Sequence, residues 1–435
     1  MTVNKLTAST SARGAPFYTP AQNPPAGTAL DTGAEVPTLF TPIKLRDMTL
    51  QNRFIVSPMC TYSADDGHLT DWHLVHLGAF ALRGAALTIV EATAVTPNGR
   101  ISPEDSGLWQ DSQIAPLKRI VDFVHSQGQK IGIQLAHAGR KASTLGPWHV
   151  TKGRHEVAGP DVGGWPDNLW APSAIAWDEG YPTPHAMTVA QIQGLVQSFA
   201  DAARRALQAG VDTIEIHAAH GYLLTEFLSP LTNQRTDAYG GSSFENRTRV
   251  LLDVVGAVRA AIPQGMPLLV RISASEWMAH DGGRPSWDLA ESKRLALLLA
   301  DAGVDLLDVS SGGNNPRQRI EVHPYYQADM AGEIRELLRR ESKDMKIGAV
   351  GMISTAEMAR SIVQEGGKLA SCEQDGKIEV ESGDGTKTRA DLVLVARQFL
   401  REPEFVLKTA ALLGVQVSGP VQYHRAPITK RRLRL

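Results

Sequence analysis

Short hydrophobic runs alternate along the chain with longer segments in which hydrophobic residues recur every three or four positions. The short runs predict eight strands, at residues 54–57, 87–90, 130–135, 213–217, 268–272, 306–310, 346–350 and 392–396. The periodic segments predict a helix after each strand, at residues 74–83, 114–126, 189–209, 243–261, 287–302, 327–340, 355–365 and 404–413. Because the strands are hydrophobic on both faces, the pattern predicts an α/β fold, a (β/α)8 TIM barrel in one domain.

An open, doubly wound sheet is the alternative to the barrel. Such a sheet usually carries a glycine-rich phosphate-binding turn after its first strand. Residues 57–60 read Ser-Pro-Met-Cys at that place instead. The closed barrel therefore remains the favoured architecture.

Several segments depart from the strand–helix rhythm. Residues 1–37, rich in Ser, Thr, Ala and Pro, predict a disordered leader before a barrel at residues 38–425. Residues 141–188, rich in Trp, Pro and Gly, predict a loop that shapes the substrate site. Residues 367–389 are polar and glycine-rich, and predict an atypical insertion, either a hairpin or a poorly ordered tract. Residues 426–435 predict a basic C-terminal tail.

Composition narrows the class of protein. The chain has 435 residues and a formal net charge of −2, which argues against a nucleic-acid surface or a basic membrane anchor. Its two cysteines, Cys60 and Cys372, lie far apart and predict no disulfide framework, which fits a reducing, cytoplasmic location. No hydrophobic run approaches transmembrane length, and targeting by the leader is the alternative to cytoplasmic localisation.

The densest group of polar side chains follows the fourth predicted strand. His217, His220 and Tyr222 stand together where the carboxyl end of a barrel strand would deliver them to a site. The two histidines could ligate a metal, as in a metal-dependent barrel hydrolase, but Glu91 and Glu215 are poorly placed as further ligands. Two neutral donors to a substrate oxygen are the favoured use, with Tyr222 as a proton donor and no metal.

Two other groups of strand-end residues predict a bound heterocycle with a phosphate. Arg271 and Gln134 interrupt hydrophobic strands and offer the hydrogen bonds that a flat ring with carbonyls and ring nitrogens would need. The glycine turns at residues 310–313 and Gly351, with Arg397, predict backbone N–H groups around an anion. A structural ion pair for Arg271 and plain turn glycines are the alternatives.

The motifs at these positions resemble those of the Old Yellow Enzyme family of FMN-dependent ene-reductases. The resemblance rests on Ser-Pro-Met-Cys-Thr-Tyr at 57–62, Gln-Leu-Ala-His-Ala-Gly-Arg-Lys at 134–141, His-Ala-Ala-His-Gly-Tyr at 217–222 and the polar stretch 233–247. Cys60 with Tyr62, and the ending Pro-Val-Gln-Tyr-His-Arg at 420–425, resemble the "thermophilic-like" branch of that family.

The resemblance implies FMN as the cofactor and NADPH or NADH as the hydride donor. It implies that the flavin ring is held by Ser57, Pro58, Met59, Ala92, Gln134 and Arg271, with Cys60 near the ring to tune its potential. It implies that the phosphate is held by Gly351, Ala396 and Arg397. It implies an activated alkene such as an enone as the small-molecule substrate, bound by Tyr62, His217 and His220 and protonated by Tyr222. It also implies a homo-oligomer, a dimer or a tetramer, in which Arg425 reaches the neighbouring subunit's site.

Two features depart from that family's pattern. Ala396 stands where the family often has glycine before the arginine, although its backbone N–H can still serve. The insertion at 367–389 precedes the strand that ends at Arg397. If it displaces that strand, FMN binding is impaired and the chain is a pseudoenzyme, which is the non-catalytic alternative.

Overall fold

The computed structural model of the protein describes residues 10–151, 154–364 and 388–427. Eight parallel strands, here numbered one to eight in chain order, close into a barrel. They are Phe54–Val56, Leu87–Ala94, Lys130–Ala136, Thr213–Ala218, Leu268–Ser273, Leu306–Ser310, Lys346–Val350 and Leu392–Val395. The predicted (β/α)8 barrel is confirmed, and each predicted strand is found within a few residues of its expected ends.

A helix follows each strand and packs on the outside of the barrel. The eight are Asp71–Ala81, Ile114–Ser126, Val189–Ala209, Phe244–Ala261, Leu289–Asp301, Tyr326–Arg340, Ala356–Val363 and Phe405–Leu412. Their starts follow from capping side chains, since Thr188, Ser243, Asp288 and Thr355 each accept a hydrogen bond from a backbone N–H in the first turn. Two short helices, Leu223–Leu228 and Arg397–Arg401, come directly after strands four and eight.

A β-hairpin before strand one, formed by Ile43–Leu45 and Met48–Leu50, was not predicted from the sequence. Its inward residues are buried with Ile55, Leu269 and Leu392, which lie near the beginnings of barrel strands. The hairpin therefore covers the amino-terminal end of the barrel. The chemistry is left to the carboxyl end, where the loops after the strands meet.

Residues 10–37 differ from the disordered leader that composition predicts for residues 1–37, of which the first nine lie outside the described residues. Within residues 10–37, Gly27 N–H donates to Ser418 O at 2.8 Å and Leu30 N–H donates to Gln416 O at 2.8 Å. Ala26 is buried. Proline removes donors, but the other backbone groups here find partners in a segment nearly 400 residues away, which local sequence does not reveal.

The predicted insertion lies almost entirely outside the described residues, as does most of the predicted basic tail. Helix Ala356–Val363 ends before it, and the chain is described again from Thr388. Arg389 N–H and Ala390 N–H both donate to Ile362 O, at 3.0 and 3.1 Å. Strand eight pairs in register with strands seven and one. The insertion therefore leaves strand eight in its place in the barrel.

The predicted substrate loop, residues 141–188, lies over the carboxyl end of the barrel. Trp170–Ala171 pairs with His185–Ala186, and the Trp170 ring stacks on His137 with ring centroids 5.7 Å apart.

In the part of the chain that is described, no helix is both long enough and hydrophobic enough to span a bilayer.

Candidate active site

The side chains of His217, His220 and Tyr222 converge at the end of strand four. The His217 ring centroid lies 5.2 Å from that of His220 and 5.1 Å from that of Tyr222, in edge-on arrangements. His220 has a φ of 62°, and Gly221 follows with a φ of 73°. A Cβ on Gly221 would lie 2.2 Å from the Gly313 carbonyl oxygen, so only glycine fits this turn.

Both imidazoles are held neutral. Burial first, and then the positive charges of Arg271 and Lys141, lower the pKa of His220 to about 3. Burial, His220 and Arg271 lower the pKa of His217 well below its usual value. Ala219 N–H donates to His217 Nδ1 at 3.3 Å, which leaves Nε2 of His217 as the protonated nitrogen. The site therefore offers neutral N–H donors over the physiological pH range.

Three strand-end side chains to which the sequence assigned no role at the histidines fix the turn that carries His220. Ser310 Oγ lies 2.8 Å from His220 Nε2, and Ser273 Oγ accepts from His220 N–H at 2.8 Å. Lys141 Nζ donates to His220 O at 2.9 Å, and its ammonium lies 5.0 Å from the Tyr222 ring centroid. All three follow or end barrel strands, which is the one signal in the sequence that identifies them.

Tyr222 is set as a neutral phenol beside a small cavity. Burial, with the nearby Cys60 and Tyr62, raises the pKa of Tyr222 well above its usual value. Ala92, which was predicted to contact a cofactor, lines the same cavity as Tyr222 and Asp105. The phenol therefore keeps its proton until a stronger base forms next to it.

Below the histidines, Gln134, Glu215, Arg271 and Asp308 form a buried polar layer across strands three to six. Gln134 Nε2 donates to Glu215 Oε1 at 2.7 Å. Arg271 Nε donates to Asp308 Oδ2, and Arg271 Nη2 donates to Ser57 Oγ at 2.5 Å. Arg271 is thus paired with Asp308 and also reaches Ser57 at the end of strand one. The ion pair and the position next to a possible ligand, which the sequence offered as alternatives, occur together. Asp308 was missed, although an acid inside a hydrophobic strand carries the same signal as Arg271.

The segment after strand one is tethered to strand two. Thr61 donates its hydroxyl to Glu91 Oε2 at 2.7 Å, and its backbone N–H donates to Glu91 Oε1 at 3.0 Å. On either side of Thr61, Cys60 is half-buried and Tyr62 has a φ of 50°. Burial, Asp105 and Glu91 raise the pKa of the Cys60 thiol, so that it is not an activated nucleophile. The Tyr62 ring lies edge-on to Trp148 at 5.8 Å.

Two N–H groups of the predicted anion cradle have acceptors within the protein, since Gly312 N–H donates to Ser275 O and Gly313 N–H donates to Gln318 Oε1. By contrast, the backbone N–H groups of Gly351, Met352 and Ala396 have no acceptor among the described residues. Of the predicted cradle, the ends of strands seven and eight therefore keep N–H groups without an acceptor in the described part of the chain.

Arg397 begins the short helix after Ala396 and is exposed. Gln327 connects this region to strand six, since it accepts from Ser311 Oγ at 2.9 Å and donates to Val350 O at 2.7 Å. Arg425 is different, since it is exposed in the C-terminal segment. Pro58 and Met59 lie half-buried next to Ser57. No group of three or more His, Cys, Asp or Glu side chains within the described ranges is arranged to hold a metal ion.

Comparison with known proteins agrees with this geometry. Residues 38–372 match the model of the NADH:flavin oxidoreductase / NADH oxidase family. The chain is 47% identical over 415 residues to an NADH:flavin oxidoreductase of Gibberella zeae, covering 94% of this chain and 92% of that protein. It is 43% identical over 389 residues to an NADPH dehydrogenase of Bacillus subtilis, covering 89% and 98%. The solved structure of morphinone reductase superposes with a TM-score of 0.65 at 26% identity, covering 89% and 93%.

Proposed function

Because this chain belongs to the NADH:flavin oxidoreductase / NADH oxidase family, and is thus an NAD(P)H-dependent flavin oxidoreductase with FMN as its cofactor, we propose that it reduces activated C=C bonds such as those of enones. The family membership confirms the resemblance to Old Yellow Enzyme that the motifs carry. The observation behind the proposal is the convergence of two neutral imidazoles and one neutral phenol above the layer of Gln134 and Arg271.

The side chains present fit FMN. Among the described residues Gln134 bonds only through its amide nitrogen, so its carbonyl oxygen is available to a ring N–H. Within the same residues Arg271 bonds through Nε and Nη2, so Nη1 is available to a ring carbonyl. The unpaired N–H groups of Gly351, Met352 and Ala396, with Arg397, suit the phosphate. Ser57, Pro58, Met59, Cys60 and Ala92 would contact the ring.

FMN held by these residues would supply hydride transfer, from NAD(P)H to the alkene carbon β to the activating group. The protein itself binds the activating oxygen. His217 Nε2 donates to that oxygen, and His220 contributes its Nδ1 while Ser310 holds its other nitrogen. These donors stabilise the negative charge that develops on the oxygen, and one such donor is worth about 3 kcal/mol.

Tyr222 then supplies a proton to the α-carbon of the substrate. Its raised pKa keeps the phenol protonated until that carbon becomes basic. Lys141, 5.0 Å from the ring centroid, favours the phenolate that remains after transfer. Tyr62 with Trp148 lines the substrate side of the site, and the loop of residues 141–188 carries Trp148.

We also propose a homo-oligomer in which Arg425 completes the site of a neighbouring subunit. Its support is that Arg425 is exposed in the described C-terminal segment. Arg425→Ala should raise KM for an enone without changing the rate at which NADPH reduces the flavin. An unchanged KM would remove this role.

The function is tested by the visible spectrum of the purified protein under anaerobic conditions. NADPH should bleach the flavin absorbance, and an enone should restore it with formation of the saturated ketone. A protein that is bleached and reoxidised by oxygen, but by none of a panel of enones and nitroalkenes, would contradict the alkene assignment and leave the flavin oxidoreductase intact.

A further inference from the structure

The polar layer beneath the histidines has an uneven charge. It contains the carboxylates of Glu215 and Asp308 and only one cation, Arg271. Glu215 and Asp308 have no exposed surface, and Arg271 is 4% exposed. With both acids ionised, the layer would hold one net negative charge out of reach of water, and that is costly.

Two oxygens in the layer also lack partners. Glu215 Oε2 and Asp308 Oδ1 are buried, and neither has a hydrogen-bond donor within the described residues. Two unpaired acceptors in the same layer are expected if one of the two acids carries a proton. A proton on one acid removes the net charge and turns one of these acceptors into a donor.

The contacts decide which acid holds the proton. Asp308 Oδ2 accepts directly from Arg271 Nε, and such a charge-assisted bond favours the ionised form. Glu215 Oε1 lies 3.8 Å from the same nitrogen and accepts instead from the neutral amide of Gln134. Burial raises the pKa of Glu215 to about 8, and the neighbouring Asp308 contributes to the rise, while Arg271 opposes it.

We propose that Glu215 carries a proton at neutral pH and is a positioning residue for bound FMN. Protonated Glu215 fixes the orientation of the Gln134 amide, and the charge of Arg271 is then neutralised by Asp308 alone. This rests on the proposed placement of the flavin ring against Gln134 and Arg271. Protonated Glu215 accepts from Gln134 through Oε1, so that the Gln134 carbonyl faces the ring, and Oε2–H becomes a donor to the acceptors of the layer.

The consequence is a proton coupled to flavin reduction. A hydride from NAD(P)H brings two electrons and one proton to the flavin. Below the pKa of Glu215 nothing else changes in the layer. Above it, the ionised carboxylate opposes the added electrons, and one further proton from solvent binds Glu215 Oε2 on reduction. The groups that face Glu215 are Gln134, Arg271 and Asp308, and neutral His217 follows on the same strand beside Arg271.

The test is the midpoint potential of bound FMN measured against pH from 6 to 10. In the wild-type protein the slope of the midpoint potential against pH should become steeper above about pH 8. The added slope should correspond to one extra proton taken up for every two electrons. Glu215→Gln mimics the protonated acid, since its amide accepts from Gln134 and donates through its NH2 group. It should bind FMN within about threefold of wild type and lose the steeper region. A wild-type line without a break overturns the proposal even if the variant does not fold.

Glu276→Gln is the matched control. Glu276 is as deeply buried, accepts from Ser229 and Trp287, and has a raised pKa, but belongs to the outer side of the loop after strand five. It should keep the break. A tenfold change in the equilibrium constant of a two-electron couple corresponds to about 30 mV. If Glu215→Gln raises the midpoint potential at pH 6.5 by more than that, Glu215 is ionised at that pH and the proposal is wrong.

A misplaced flavin would give a different result. Arg271→Lys should shift the potential of bound FMN if the ring lies over this layer. If neither Arg271→Lys nor Glu215→Gln changes it, the proposed placement of the ring is wrong. If Arg271→Lys shifts it while the break persists in Glu215→Gln, only the proton assignment is wrong.

Discussion

Ser310 holds His220 by its ring: the Ser310 hydroxyl lies 2.8 Å from Nε2 of an imidazole 90 residues earlier in the chain. The pairing joins the end of strand six to the turn after strand four. It leaves Nδ1 as the nitrogen that can face a substrate, because the ring cannot rotate without losing this hydrogen bond. The orientation of one substrate donor is thus set from a different strand.

Removing that hydroxyl should weaken substrate reduction selectively. Ser310→Ala should lower kcat/KM for an enone by about tenfold, the value of one net hydrogen bond of about 1.4 kcal/mol. The rate of flavin reduction by NADPH should stay the same. Stopped-flow measurement of the two half-reactions separates these effects. Ser292→Ala, which removes a buried hydroxyl bonded to Ala274 O on the outer helix layer, is the control. Equal losses in both half-reactions would contradict the assignment.

The imidazole pair should act without a pH dependence of its own. Because burial lowers the pKa of His220 to about 3 and also lowers that of His217, neither ring gains a proton between pH 5 and 8. The double variant His217→Ala, His220→Ala should lose phenol binding and most enone turnover at every pH in that range. A histidine-like inflection near pH 6.5 in the wild-type oxidative half-reaction would count against neutral donors.

The phosphate cradle should not tolerate a side chain at Gly351. The φ of Gly351 is 114°, and an added Cβ would lie 2.2 Å from Gln327 Nε2, which itself holds the Val350 carbonyl. Gly351→Ala should therefore lower the FMN content of the purified protein by at least about tenfold at limiting FMN. Gly414→Ala is the control, since Gly414 has a φ of 69° and open space around its Cα. Full occupancy in both variants would place the phosphate elsewhere.

The insertion should be dispensable for cofactor binding. The chain leaves the described structure after Gln364 and is described again from Thr388, while Ile362 O accepts from both Arg389 and Ala390. Replacing residues 365–387 with a short glycine–serine link should leave FMN content unchanged. A marked gain in flavin occupancy would instead support the pseudoenzyme alternative.

Stability should fall as pH rises from about 4.5 to 7, in part because of Glu276. Burial raises the pKa of Glu276 to about 7, above the value of about 4.3 for the unfolded chain. The folded state therefore keeps a proton that the unfolded state loses in this window, and stability declines by up to about 3 kcal/mol for this group. Urea unfolding at pH 4.5 and 7.5 should show a smaller decline for Glu276→Gln. An identical decline would mean that Glu276 is ionised when folded.

Hydrophobic periodicity was sufficient to predict the barrel, because the strands are buried along nearly their whole length and most of the outer helices are amphipathic. It could not predict the hairpin Ile43–Leu45 and Met48–Leu50, whose two short strands are stabilised by burial against the barrel floor. Nor could it predict that residues 10–37 find hydrogen-bond partners near residue 417. Contacts of such long range depend on the fold being formed already.

At the site, strand-end position identified the donors but not what holds them. His217, His220, Gln134 and Arg271 stand out because polar side chains interrupt hydrophobic strands. Ser310 and Ser273 carry no such contrast, and their roles follow only from the turn that brings His220 back to them. The glycines at 312 and 313 show the converse, because the N–H groups of a turn that looks suited to an anion donate to Ser275 O in the loop after strand five and to Gln318 Oε1.

The leader and the C-terminal segment are joined by more than proximity. Gly27 N–H donates to Ser418 O and Ser418 N–H donates back to Thr28 O, while Gln22 donates to Gln422. The chain is therefore closed twice, once by the barrel sheet and once by these hydrogen bonds between residues 22–30 and 416–422. A circular permutant opened at an exposed loop would keep the barrel intact. Proteolytic removal of the leader, by contrast, would remove these hydrogen bonds and release the C-terminal segment that carries Arg425.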